Sequence, residues 1–396
     1  MWQYDWPAWS DRIKGDTGKW ALERWCLMYL HEQNNVDALA LEIKANLASQ
    51  GCLAQVRVQS IWVDGTPQAE FSPKGHSPRI EQPQCELADL LLCVRWESPD
   101  GILQREQAML IQAKVASKYN KIPGGKSTQK ERLLFEECDR DKNITLYPGS
   151  TRKNPIGSYQ LGSAAVKEYG LRDCASFLLM AKARWPNAEG SPGPLQVGWP
   201  RDKKKTEIKP PEPYLDAVIK MVCRTAPALG REVKTGPSAK HCAWTNMVND
   251  LRGRYGKVKM TGYNEQPRVT TSVGKMSTRR FLSILATKHV FHGASGLHST
   301  TPSPRSLKLL SVLNPSDWET LLAIKNILDP DDSIGWKYVL EIADLFGVLD
   351  REVLSLWNDG PPEPPPPDSN FNEGDGPYLP TLEITLRGDE QFQRFD

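Results

Sequence analysis

Two apolar runs, Leu87–Trp96 and Leu103–Val115, flank Glu97-Ser98-Pro99-Asp100-Gly101 and constrain the fold of this chain more than any other feature. Proline presets φ, aspartate bonds back to the turn backbone and glycine accepts positive φ, so the spacing predicts an antiparallel hairpin over residues 86–116. In the second arm, Met109-Leu110-Ile111-Gln112-Ala113-Lys114-Val115, the two-residue strand period sends Met109, Ile111, Ala113 and Val115 to one face. Gln112 and Lys114 fall on the other. The first arm carries Asp89 directly before Leu90-Leu91-Leu92. Carboxylates are seldom placed in core strands without a partner, so Asp89, Gln112 and Lys114 stand out as a candidate site.

The surroundings of the hairpin set the fold class. Helical spacing covers residues 18–31 and 36–50, the second stretch ending at Gly51 as a left-handed C-cap, and Cys52–Val63 then alternates like a strand. After the hairpin, a basic loop from Ala116 to Gly125 leads into a helix whose start reads as a capping box of Thr128 and Glu131. Ser158–Tyr169 reads as a helix stopped by Gly170, and Cys174–Ala181 as a buried strand. The order helix, three strands, helix, strand predicts an α/β domain, a central mixed sheet flanked by helices, over residues 1–185. Residues 186–212, rich in Pro, Gly and Lys, read as a linker, and 213–312 as a basic, mainly helical domain with helices at Leu215–Cys223 and Trp244–Leu251. An acidic helical region over 313–360 opens with a second capping box, Ser316 and Glu319. Residues 361–396 read as a proline-rich linker, Pro361–Pro367, and a closing strand, Thr381–Leu386.

Charge divides the chain unevenly. From Leu313 onward, 5 Lys and Arg face 18 Asp and Glu, leaving residues 1–312 with 45 basic residues against 30 acidic ones. A basic body suits a polyanion partner, with the acidic C-terminal region as a surface for a protein partner or for occluding the cleft; mutual neutralisation of the two parts accounts for the tail equally well. In the second region Arg252, Arg254, Lys257, Lys259, Arg279 and Arg280 cluster, as suits phosphate contact or a solvated face. No run of eighteen apolar residues and no leader-like start occur, so no membrane partner is expected and the location reads as cytoplasmic. The eight cysteines lack the two-residue gaps of zinc knuckles or redox pairs and read as free buried thiols. His289, His292 and His298 share a Gly- and Ser-rich segment without a carboxylate, a poor zinc site.

An Asp on one hairpin arm and Gln-x-Lys on the next resembles the PD-(D/E)XK nuclease superfamily, across roughly residues 18–183. The resemblance implies a restriction-endonuclease-like fold in which Asp89 and Gln112 hold a divalent metal, magnesium or manganese, and Lys114 positions or activates the attacking water. Gln112 departs from the family's usual Glu or Asp and removes one anionic ligand. A Glu from the first helix often completes such sites. Glu23 is the candidate, because Cys26, Leu27 and Leu30 follow at three, four and seven residues and place it in an apolar stripe. A structural salt bridge to the Arg24 side or to hairpin lysines explains Glu23 equally well. Glu86 is a weaker rival on the opposite strand face. Phosphodiester hydrolysis needs a hard cation, an activated water and positive charge opposite the developing phosphorane, which these residue types supply. Lys118, Lys121, Lys126 and Lys130 line the mouth of this site as nucleic-acid contacts, with Gln160, beside Tyr159, as a further one.

The expectation is therefore a metal-dependent endonuclease acting on nucleic acid, DNA ahead of RNA, in anti-phage defence or restriction. The alternative is a catalytically inactive nucleic-acid-binding or scaffold subunit, which Gln112 favours. Two rival motifs are weaker. Gly124-Gly125-Lys126-Ser127 resembles the end of a P-loop, but Asn120 stands where the first glycine belongs. Glu341–Asn358 has helix-turn-helix spacing, but Asp350, Glu352 and Asp359 on its second helix repel phosphate.

Overall fold

Three helices open the chain: α1 (Trp6–Lys14), α2 (Leu22–Leu30) and α3 (Gln33–Ser49). Asp5 caps α1, its side chain accepting the Ala8 N–H at 3.0 Å, and Pro7 occupies the first turn where a missing N–H costs nothing. The computed structural model describes residues 5–253 apart from 19, 51, 53, 64–66, 76, 78–80, 99–100, 163–169, 186–192, 201–204, 210 and 225–228, together with 269–273 and 379–388. The helix-turn-helix spacing, the second capping box, the three clustered histidines and the basic residues from Arg254 to Arg280 lie outside the described residues.

Strands β1 (Ala54–Ile61), β2 (Gln68–Glu70) and β3 (Gln84–Glu86) precede the hairpin, which forms as β4 (Leu90–Glu97) and β5 (Leu103–Ala116). Gly101 adopts φ 82°, the positive value its turn position demands. Next come α4 (Lys126–Glu137), β6 (Ile144–Tyr147), β7 (Gly157–Tyr159), β8 (Ala175–Ala181), β9 (Leu195–Gly198) and β10 (Glu212–Pro213). After α5 (Tyr214–Cys223) and β11 (Arg231–Glu232) follow α6 (Ala243–Leu251), β12 (Val269–Val273) and β13 (Thr381–Gly388).

The main sheet runs β10-β9-β8-β5-β4-β13-β1-β12, with β11 pairing to β5 as well. β8 is parallel to β5 and β13 parallel to β4, whereas β4–β5 and β8–β9 are antiparallel, so the sheet is mixed as expected. A second sheet, β3-β2-β6-β7, is antiparallel throughout. All seven residues of β8 and nearly all of β5 from Glu106 onward are buried, as fits strands covered on both faces. α2 packs on β5 and α4 on β3.

Several expectations give way. The capping box of Thr128 and Glu131 does not form: α4 starts earlier, with Gly125 at the N-cap, so Thr128 is already inside the helix and buried. Ser158 and Tyr159 belong to β7, because pairing with β6 (Ile144 opposite Tyr159) overrides the helical pattern. The supposed linker 186–212 supplies β9, antiparallel to β8, and part of β10. α5 and α6 form where expected, but not in a separate domain. The chain divides into one unit of Met1–Ile43, Arg57–Thr271 and Asn372–Asp396, and another of Lys44–Val56 and Ser272–Phe371. Of the second unit, only the end of α3, the start of β1, the end of β12 and a few neighbouring residues are described.

The closing strand forms as anticipated, and it lies in the middle of the sheet, between β4 and β1. Its Glu383 meets Arg95 of β4 at 3.2 Å and Arg252, just after α6, at 2.5 Å; Arg252 also pairs with Glu106 of β5 at 2.5 Å. Arg252 is thus held by two carboxylates. Replacing it with Ala leaves Glu106 and Glu383 facing each other with less compensation. Arg252→Ala is expected to cost about 3 kcal/mol, read as a lower urea midpoint, with Arg252→Lys recovering part of it.

All eight cysteines are free, and all but Cys242 are buried. Among the described residues, no helix is long and apolar enough to cross a membrane.

Candidate functional site

The β4–β5 register decides the geometry. Leu90 pairs with Ile111, and just ahead of that ladder the Asp89 N–H donates to the Ile111 carbonyl at 2.9 Å, one residue out of step with the pairing, which holds Asp89 at the start of the ladder. Gln112 and Lys114, two residues apart on β5, share a strand face. Asp89 Oδ2 accepts hydrogen bonds from Gln112 Nε2 and, at 2.8 Å, from the Ala113 N–H. Lys114 Nζ lies 3.1 Å from Glu23 Oε1, contributed by α2, and 3.1 Å from Glu131 Oε2, contributed by α4. Glu131 Oε1 in turn accepts from Ser127 Oγ at 2.6 Å.

Asp89, Gln112, Lys114 and Glu23 are therefore brought together as the sequence suggested, and Glu23 pairs with the hairpin lysine. Glu131 is the member the sequence reading passed over. Its signal was available: Thr128, Leu134 and Phe135 stand three before, three after and four after it, the same buried stripe that singled out Glu23. Glu86, by contrast, sits on β3 in the second sheet.

The cluster sets three carboxylates, Asp89, Glu23 and Glu131, against the single ammonium of Lys114. Asp89, Gln112, Lys114 and Glu131 are all buried, and Glu23 is half-buried. Burial, only partly offset by Lys114, pushes the Asp89 carboxyl well above the usual carboxylate range and raises Glu23 as well. Burial alone would pull Lys114 down, but Asp89, Glu23 and Glu131 outweigh it and hold the ammonium above the ordinary lysine value. The site thus gathers three carboxyl groups around one ammonium in a poorly solvated place, where a cation would compete with protons for Asp89 and Glu23.

Gln112 gives a second indication. Its side chain is inaccessible to solvent, its Nε2 is spent on Asp89, and its Oε1 has no hydrogen-bond partner. An unpaired buried amide oxygen costs about 1–3 kcal/mol, which coordination of a hard cation would recover. Among the described residues, no three His, Cys, Asp or Glu side chains converge to hold a metal ion. A donor set drawn from Asp89, Glu23 and the Gln112 amide has only two anionic members, which suits magnesium, an ion that keeps several waters and binds through one or two carboxylates.

The flanking residues are placed less favourably. Lys118, Lys121, Lys126 and Lys130 are exposed, the first two on the loop after β5 and the others on α4. That loop is pinned to residues 206–208, Ile122 N–H donating to Thr206 O at 2.8 Å and Ile208 N–H to Asn120 O at 2.8 Å. Gln160 is not on a helix. It follows β7 and donates to the Asp141 carbonyl at 2.7 Å, while Tyr159 is buried with its hydroxyl on Asp250 at 2.7 Å. Both of these bonds go to residues outside the cluster. The Gly124–Ser127 segment forms the start of α4, with Ser127 turned to Glu131, an arrangement that makes it part of the Lys114 surroundings.

No protein-family model, curated protein or solved structure matches this chain.

Proposed function

We propose that the chain is a metal-dependent nuclease that hydrolyses phosphodiester bonds of nucleic acid, DNA ahead of RNA, at Asp89, Gln112, Lys114 and Glu23. The observation that carries this reading is the unpartnered, fully buried Gln112 Oε1 beside a cluster whose carboxylates outnumber its ammonium. The likeness of Asp89 and Gln112-x-Lys114 to PD-(D/E)XK nucleases supports it, and a role in anti-phage defence or restriction rests on that likeness alone.

Asp89, Glu23 and the Gln112 amide would hold the ion. A bound magnesium or manganese supplies positive charge opposite the developing phosphorane and a more acidic water. The chain's own residues do the rest. The hydrogen bonds from Gln112 and Ala113 fix Asp89, and Lys114 adds a permanent positive charge at the β5 end of the cluster. The attacking water gives its oxygen to phosphorus and loses a proton to solvent, while the departing sugar oxygen takes one up. The exposed Lys118, Lys121, Lys126 and Lys130 offer contacts to the backbone phosphates.

Purified protein with magnesium or manganese is expected to cleave DNA, and Lys114→Met to lower the rate by about 10²-fold or more. Cleavage that survives both Lys114→Met and Asp89→Ala would place the chemistry elsewhere. A second reading, a nucleic-acid-binding subunit without cleavage, is favoured by the ion pairs that already occupy Lys114 on two sides. It predicts salt-sensitive binding that Lys114→Met leaves intact.

A further inference from the structure

Residues 206–209 lie inside the stretch expected as a linker, yet their backbone is fastened on both sides. On one side runs the loop after β5: Ile122 N–H donates to Thr206 O at 2.8 Å, Ile208 N–H donates to Asn120 O at 2.8 Å, and Lys121 stands opposite Glu207 in an antiparallel bridge. On the other side, Ile208 bridges Pro200 and the Lys209 N–H donates to Trp199 O at 3.1 Å. Trp199 in turn stacks on Phe135 of α4, ring centroids 6.2 Å apart. Arg132 of α4 adds a clamp, its guanidinium donating to Lys205 O at 3.1 Å.

This stitching gathers charge from two distant parts of the sequence. Residues opposite each other in an antiparallel bridge share a face, and extended backbone sends Lys205, Glu207 and Lys209 to one side and Ile208 to the other. Exposure agrees: Lys205, Lys209 and Lys121 are exposed, Glu207 is half-buried and Ile208 is buried. Lys118, also exposed, joins them through a turn in which the Lys121 N–H donates to its carbonyl at 3.3 Å. Four lysines thus surround one acid, Glu207, which accepts from Asn120 Nδ2 at 3.2 Å and lies 3.5 Å from Lys209 Nζ. Lys118 is four residues beyond Lys114, at most about 14 Å along the chain.

We propose that Lys205 and Lys209 join Lys118 and Lys121 in one fixed phosphate-binding surface, which seats the sugar–phosphate backbone of a nucleic acid beside the Asp89–Lys114 cluster. The nuclease reading supplies the occupant, and the surface adds two contacts that no motif in the sequence marks. Holding like charges side by side is unfavourable for the chain alone and is offset by a polyanion. Because the backbone on both sides of the bridge is already ordered, binding costs little further conformational entropy.

The test is binding of a short fluorescent DNA duplex to the full chain across a potassium chloride series, followed by anisotropy with a chelator present so that nothing is cut. Each lysine that meets a phosphate contributes about 0.9 to the slope of log affinity against log salt. Lys205→Ala is expected to lower that slope by about 1, and Lys205→Ala with Lys209→Ala by about 2, with affinity at low salt down about tenfold or more. Glu207→Gln, which removes the one acid, tightens binding about threefold or more. The exposed side chains leave the urea midpoint unchanged, so lost binding is not lost fold.

A double variant with the wild-type slope overturns the inference and leaves the nuclease reading standing. So does a chain that ignores the duplex but binds polyglutamate through Lys205 and Lys209, since the surface then takes an acidic protein. If the slopes fall as expected but magnesium and manganese bring no cleavage, the nuclease reading falls while the phosphate-binding surface remains.

Discussion

Asp89→Asn is expected to lower nucleic-acid cleavage by about 10³-fold while making the fold more stable at neutral pH. The two effects share one cause. Asp89 is buried just before β4, and a single oxygen, Oδ2, accepts from both Gln112 and the Ala113 N–H, contacts that an asparagine carbonyl preserves. What the substitution removes is the charge. Because burial raises the Asp89 carboxyl well above the usual range, the folded state holds a proton that the unfolded chain releases at lower pH. Between those two values the folded protein binds more protons than the unfolded one, so stability falls as pH rises through that window. Asparagine has no such slope. Denaturant unfolding of wild type and Asp89→Asn from pH 4 to 8 should show the variant gaining about 1 kcal/mol toward the upper end, and no gain at the acid end. The same shift places the acidic limb of wild-type cleavage above the ordinary carboxylate range, since the cation competes with a proton for Asp89 and Glu23. A variant less stable than wild type at neutral pH would mean that Lys114 dominates Asp89, making it a structural anion and removing the argument for a cation.

How far such a site can be read from sequence depends on the range of the interactions that build it. The hairpin was legible because a Pro-Asp-Gly turn and a period of two are local, and they placed Gln112 and Lys114 on one face of the second arm, with Asp89 on the first, before any pairing was known. Glu23 followed from its apolar stripe. Glu131 did not, because Thr128 and Glu131 match the spacing of a helix start; only the position of Gly125 at the N-cap moves Glu131 into the second turn, under β5. The strands of the second sheet are three or four residues long, too short to show any period, so β7 was taken for a helix. In residues 186–212 the abundance of Pro, Gly and Lys masked Leu195–Gly198, which becomes a strand because β8 offers it an edge. α1 was missed for a related reason: Trp9 is its only buried residue, so its apolar period is nearly invisible.

Deleting residues 379–396 is expected to prevent folding outright, a larger effect than any substitution in the site. β13 was legible as a strand, but nothing local announces that it enters the sheet between β4 and β1 after more than a hundred intervening residues. Once there, it runs parallel to β4 from Thr381 opposite Leu91 to Arg387 opposite Glu97, so its loss strips one ladder from the strand that begins beside Asp89. Leu379, Leu382, Ile384 and Leu386 are buried, and burying each such side chain contributes about 1.5–3 kcal/mol. Together that approaches the roughly 5–15 kcal/mol that separates a folded domain from its unfolded chain. Removal of Glu383 also leaves Arg252 with Glu106 alone. The truncated chain should therefore be insoluble, with the bared β4 edge pairing between molecules. Ile384→Ala grades the same effect, with a loss of about 2–5 kcal/mol in a urea titration that leaves the native sheet in place. A soluble truncated protein with the wild-type unfolding midpoint would show that β13 is an accessory to the sheet, and that β4, and Asp89 with it, is held in position without it.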